Sequence, residues 1–163
     1  MFPEPLRSHA ASLIASCRYT GIRVATAESC TGGLLAGLIT TIPGSSEVFD
    51  RGFVIYSNTA KIECLGVSLT DLETFGAVSQ EIALAMAAGA LAHSTADLAL
   101  SITGVAGPGG GTPQKPVGLV YFGLARKGRD PKSAEMRFGA IGRNAVRSAA
   151  LATAIDLLLE AAR

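Results

Sequence analysis

The stretch IRVATAESCTGGLLAGLIT, residues 22–40, decides how the chain reads. Ile22 to Ala27 is a short run with β-branched residues and predicts a buried strand. Gly32 to Thr40 reads as helical until Pro43 and Gly44 break it. A strand turning directly into a helix is the repeating unit of an α/β sheet. Upstream, Leu6, Ala10, Leu13, Ile14 and Cys17 recur at helical spacing within Glu4–Tyr19, and Gly21 stops that helix. Downstream, Val48 to Tyr56 is a second strand, kinked at Gly52, and Asn58 caps a short helix over Thr59–Leu65 that ends at Gly66.

Ser79 caps a long helix from Gln80 to His93, and Asp97 to Ile102 is a third strand. Thr103 to Pro116 holds five Gly and three Pro, so it reads as neither helix nor strand. Val117–Ala125 and Ser133–Phe138 form an antiparallel hairpin across RKGRDPK, and Arg143 to Ala161 is a closing helix with a leucine-rich face. Strands alternating with helices predict one sheet of about five strands, mixed but mostly parallel, covered on both faces.

At 163 residues and 16.6 kDa the expectation is a single domain over residues 1–163. A chain 48% apolar and 17% charged buries enough surface to offset its ordering entropy, which excludes a disordered tail. Fourteen basic against 13 acidic residues leave no surplus for displacing counterions from nucleic-acid phosphates. The longest apolar run, Ile82–Ala92, has 11 residues, well short of the ~20 that a membrane-spanning helix needs. Met1–Pro5 is not a secretory leader, and three irregularly spaced cysteines form neither a disulfide framework nor a zinc site. A cytoplasmic protein is expected. A mean hydropathy of +0.38 is high for so small a soluble chain and predicts a homo-oligomer, a two-fold dimer before others.

Ligands of open α/β sheets bind beyond the carboxyl ends of the strands. Three unusual segments leave strand ends here: Glu28–Gly33, Tyr56–Lys61 and Thr103–Gly111. In the first, free amides over Thr31, Gly32 and Gly33 can hold a phosphate or a developing oxyanion, and Ser29 points its hydroxyl into that field. Ser29 or Thr31 as a plain helix cap explains the same residues. Cys30 is a rival nucleophile or inert packing.

A serine nucleophile needs a base. His9 and His93 lie on helices away from strand ends, which argues against a Ser-His-Asp triad, and G-x-S-x-G is absent. Lys61 can serve if its pKa falls, as the third residue of a helix and under strand-end loops both promote; a solvated surface lysine is the bland reading. Tyr56 could orient that amine or relay a proton. The Gly-rich segment can bring backbone close to a ligand or form a plain mobile loop; it matches neither the Walker nor the dinucleotide pattern. Arg143 opens the last helix, placed for a phosphate or for solvent. Glu28, Asp50, Glu63 and Asp97 show no metal-ligand spacing, so no metal is expected.

TAESCTGG (Thr26–Gly33), the spacing of Gly52, Tyr56 and Lys61, TGVAGPGGG (Thr103–Gly111) and Gly142-Arg143 together resemble the CinA carboxy-terminal domain family over essentially the whole chain. That family includes stand-alone nicotinamide-nucleotide amidohydrolases. The resemblance implies a three-layer α/β/α fold. It also implies hydrolysis of the carboxamide of nicotinamide mononucleotide to nicotinate mononucleotide and ammonia, in pyridine nucleotide recycling, without metal or other cofactor. It would make Ser29 the nucleophile and Lys61 its base, with Tyr56 and Thr103 supporting the centre. Thr31, Gly32, Gly33, Gly104, Gly107 and Arg143 would then hold the substrate. A nucleotide-sensing module without turnover and a hydrolase of a related amide are the alternatives.

Overall fold

The computed structural model describes residues 2–163. In chain order the elements are α1 (Glu4–Thr20), β1 (Val24–Glu28), α2 (Leu34–Thr40), a 3₁₀ turn (Ser45–Glu47) and β2 (Phe49–Val54). There follow α3 (Asn58–Leu65), α4 (Leu69–Phe75), α5 (Gln80–Ala92), β3 (Leu98–Gly104), β4 (Leu119–Arg126), β5 (Lys132–Arg137) and α6 (Arg143–Ala161). The sheet order is β2-β1-β3-β4-β5; β1 runs parallel to β2 and β3, while β4 runs antiparallel to β3 and β5. Only β4 is therefore reversed, and the three-layer mixed α/β/α fold is the one the sequence predicts. Among the described residues no helix is long and apolar enough to cross a membrane.

Strand alternation separates two unlike faces. Val24, Leu98, Leu100, Ile102, Val120 and Phe122 pack with the buried residues of α1, α2 and α6. Ala25, Ala27 and Ala99 face the other way, toward Ile82, Met86 and Ala90 of α5. Small residues on both sides of that second interface draw α5 close. Ser101 Oγ reaches across the gap, donating to the Ala83 carbonyl (2.5 Å) and accepting from the Gly123 amide (3.1 Å). At Gly123 a Cβ would collide with the Ala83 carbonyl.

Three readings need correction. α4, capped by Ser68, was not foreseen: its only buried residue is Leu72, too little to print a periodicity. Thr103 and Gly104 belong to β3, paired with Tyr121 and Val120, because tertiary ladder bonds override glycine's low strand preference. The irregularity in β2 falls at Asp50, not Gly52, since Val24 pairs with Phe49 and Ala25 with Arg51. Gly52 serves close approach instead: a Cβ there would sit 3.0 Å from both Ala36 Cβ and Thr26 Oγ1.

Gly123→Ala is expected to lower unfolding free energy in urea by about 2 kcal/mol through overpacking between β4 and α5. Gly128→Ala, strained only by its φ of +72° and facing open space, is expected to cost about half as much.

Candidate active site

The carboxyl ends of β1, β2 and β3 meet at one edge, and the turn after β1 sits there. Glu28 ends β1 on the α2 side, 1% exposed, and its carboxylate accepts from the amides of Gly33 (3.1 Å), Leu35 (3.0 Å) and Ala36 (2.8 Å). The helix thus receives its anion from its own strand. Gly32 donates its amide to the Ser29 carbonyl (3.0 Å). The expected open anion site over Thr31, Gly32 and Gly33 is therefore largely filled by the protein itself. On this turn the amides of Cys30 and Thr31 remain; among the described residues neither donates to a backbone or side-chain oxygen. Left-handed backbone at Gly32 (φ 61°) and Gly33 (φ 92°) makes the tight passage into α2 possible.

Alternation sends the next side chain, Ser29, to the α3 side, while its amide stays tied to the Ile102 carbonyl (3.0 Å). Lys61 of α3 meets it there. Ser57, not Asn58, caps α3 by accepting from the Ala60 amide (3.0 Å), so Lys61 is the fourth helical residue rather than the third. Its side chain is 1% exposed, heading the fully buried side chains by size. Nζ lies 3.4 Å from Ser29 Oγ, 3.1 Å from the Ile55 carbonyl and 3.4 Å from the Tyr56 carbonyl. Among the described residues no carboxylate pairs with it. Burial in this setting pushes the amine below its usual 10.5, against a smaller opposing influence from Cys30. The two carbonyls can take both hydrogens of a neutral amine, leaving its lone pair for the serine hydroxyl. Burial also pushes the Cys30 thiol up to about 11, which makes it a poor source of thiolate.

Around this pair the other predicted residues divide. Tyr56 contributes its carbonyl to Lys61, but its hydroxyl accepts from Arg143 Nη2 (3.2 Å) on the exposed rim. Arg143 Nη1 donates to the Gly107 carbonyl (2.9 Å), so one guanidinium ties the loop after β2 to the loop after β3. Thr103 is buried, and its hydroxyl donates to the Ala77 carbonyl (2.7 Å), anchoring the approach to α5 rather than touching Ser29 or Lys61. Gly104 lies opposite Val120 in the ladder, where a Cβ would meet the Leu119 carbonyl at 2.7 Å.

Arg147 was missed by the sequence reading. Its Nη2 donates to the Thr31 carbonyl (2.9 Å), while its buried Nε and the buried Thr31 Oγ1 have no partner among the described residues. The signal was present: Arg143 and Arg147 are four apart on one helix and share a face. The histidines stand apart, His9 against Asp156 and His93 against the Gly89 carbonyl. Among the described residues no three His, Cys, Asp or Glu side chains gather as a metal site.

Comparison with known proteins agrees with this architecture. A family model described as CinA C-terminal domain matches residues 6–162. The chain is 54% identical over 138 residues to a putative competence-damage inducible protein of Caldicellulosiruptor saccharolyticus, covering 85% of this chain and 33% of that one. It therefore spans about a third of that longer relative. It is 52% identical over 133 residues to a protein of Enterobacter agglomerans named nicotinamide-nucleotide amidohydrolase PncC, covering 82% of this chain and 80% of that one. Among solved structures, competence/damage inducible protein CihA from Agrobacterium tumefaciens superposes with a TM-score of 0.98 at 48% identity, covering 100% and 99% of the two chains. A CinA superfamily protein from Escherichia coli gives 0.91 at 32%, covering 99% and 94%.

A buried amine with a lowered pKa weakens the fold most where it must still be charged. Below its folded pKa the full desolvation cost applies, and the cost fades as pH climbs toward the unfolded value of 10.5. Lys61→Met is therefore expected to be the more heat-stable protein at pH 6, with the gap in midpoint narrowing as pH is raised to 9. A gap that widened with pH would contradict the environment described for Nζ.

Proposed function

Because the chain belongs to the CinA C-terminal domain family, we propose that it hydrolyses the carboxamide of nicotinamide mononucleotide to nicotinate mononucleotide and ammonia. Ser29 is the nucleophile and Lys61 its base. The observation that carries this reading is the 3.4 Å approach of a buried lysine amine, paired with no carboxylate among the described residues, to a serine hydroxyl at a strand end. The relative named as an amidohydrolase supplies the substrate class.

Neutral Lys61 holds its two hydrogens on the Ile55 and Tyr56 carbonyls and takes the Ser29 proton as Oγ attacks the amide carbon. The carbonyl oxygen becomes an oxyanion against the amides of Cys30 and Thr31, which meet no other oxygen among the described residues; a donor of that kind is worth ~3 kcal/mol of barrier. As the C–N bond breaks, the Lys61 ammonium returns its proton to nitrogen and ammonia departs. Water then attacks the ester, giving one proton to Lys61, which passes it to the departing serine; the acid product loses the other water proton to solvent as carboxylate.

Arg143 and the turn around Gly107 are assigned to the nucleotide phosphate; their hydrogen bond keeps the guanidinium at the rim, beside the Tyr56 hydroxyl. Thr103 supports the centre indirectly, through Ala77. Gly104 lets the β3 end pass close to Leu119.

Ammonia release from nicotinamide mononucleotide, assayed with chelator present, tests the activity. Ser29→Ala and Lys61→Ala are each expected to abolish release while leaving binding of the nucleotide, measured calorimetrically, within a few-fold. Retained turnover in either variant removes that residue from its role. Binding without ammonia in the native protein would favour a sensor, and no binding another substrate. With Arg143→Ala, loss of a charge-assisted phosphate contact is expected to raise KM about 10- to 100-fold, with kcat much less affected.

A further inference from the structure

Arg147 and Arg143 leave α6 on one face but end in different places. Arg143 is exposed and reaches the rim, whereas Arg147 is half-buried and reaches under the nucleophile turn. There Nη2 donates to the Thr31 carbonyl at 2.9 Å. The peptide unit carrying that carbonyl also carries the Gly32 amide, which donates to the Ser29 carbonyl at 3.0 Å. The peptide unit carrying the Ser29 carbonyl in turn carries the Cys30 amide, one of the two left without an acceptor oxygen on this turn. A guanidinium, two peptide groups and an N–H that, among the described residues, meets no acceptor oxygen thus stand head to tail.

Each hydrogen bond in such a chain polarises the next, most strongly in a low-dielectric setting with a full charge at one end. The Leu34 amide also leans on the Thr31 carbonyl (3.3 Å), but it is neutral and cannot replace the charge. Removing the cation would leave the turn in place while weakening its last donor.

We propose that Arg147 is a positioning residue that acts through the Thr31–Gly32 and Ser29–Cys30 peptide groups to orient and strengthen the Cys30 amide as the oxyanion donor for Ser29. This role rests on the reading of Ser29 as nucleophile, and it assigns Arg147 no contact with substrate.

The test combines steady-state ammonia release with the rate at which Ser29 is labelled by a small alkyl fluorophosphonate, whose phosphoryl oxygen takes the oxyanion position without any nucleotide. Arg147→Met is expected to lower kcat and the labelling rate together, about tenfold, a fraction of what removing an oxyanion donor outright costs. KM is expected to stay within about twofold, since Arg143 holds the rim. Arg147→Lys, which keeps the charge, is expected to recover at least half of the lost rate. A raised KM with unchanged kcat would make Arg147 a substrate ligand and overturn the role. Equal losses in the Lys and Met variants would reduce it to packing and also overturn it.

Should Arg147→Met fail to fold, Arg147→Gln, which keeps a neutral donor, decides: slower labelling supports the role and unchanged labelling refutes it. The two readings fail separately. A native protein that is labelled faster than Arg147→Met yet releases no ammonia loses the substrate but keeps the role of Arg147. A native protein that releases ammonia, matched by Arg147→Met at equal kcat, keeps the activity and loses the role.

Discussion

An amine buried without a counter-charge is the constraint around which the rest of this molecule is arranged. Lys61 is 1% exposed and, among the described residues, meets two backbone carbonyls and one hydroxyl. An ammonium ion in such a place costs several kcal/mol even after relaxation. The cost falls on the charged form alone, so the fold itself favours the protonation state that can accept a hydrogen. Placing that group required a helix capped at Ser57, a strand ending at Val54 and two carbonyls turned inward between them.

The unlike faces of the sheet make this possible. On the α5 side, Ala25, Ala27, Ala99 and Ser101 leave so little bulk that helix backbone comes within reach of a serine hydroxyl. On the other side, Val24, Leu98, Leu100, Ile102 and Phe122 fill a conventional aliphatic core. Strand β1 crosses both environments in alternate residues, and its last two positions inherit them. Glu28 falls on the α2 side and takes the amides of that helix, while Ser29 falls on the α3 side and takes the lysine. A shift of one residue in β1 would exchange the two.

Much of this was legible beforehand, for stated reasons. Helical periodicity located α1 and a leucine-rich face α6, while Ser79 marked the start of the apolar α5 and Gly21 the end of α1. Ser29 and Lys61 could be singled out because each follows a strand closely and because neither histidine lies near one. What remained hidden depended on contacts across long separations. The carboxylate of Glu28 looked unremarkable until its three amide partners folded back over it. Tyr56 lent a carbonyl where a hydroxyl was expected, which no side-chain reasoning could anticipate. Thr103 answers to Ala77, 26 residues away, and Arg147 to Thr31, 116 residues away.

The Glu28 carboxylate has one more implication. Because it closes α2 from within the same short segment that bears the hydroxyl, strand end, turn and helix start are braced from inside as well as by the distant Ile102 carbonyl and Arg147 guanidinium. The amine, by contrast, arrives on a separate helix, tied to that segment by the Ser29 hydroxyl and by the Ile55 amide on the Glu28 carbonyl (2.9 Å). Grafting residues 24–37 onto another parallel sheet would carry over the brace on α2 and leave behind the amine, the Ile102 carbonyl and the Arg147 guanidinium.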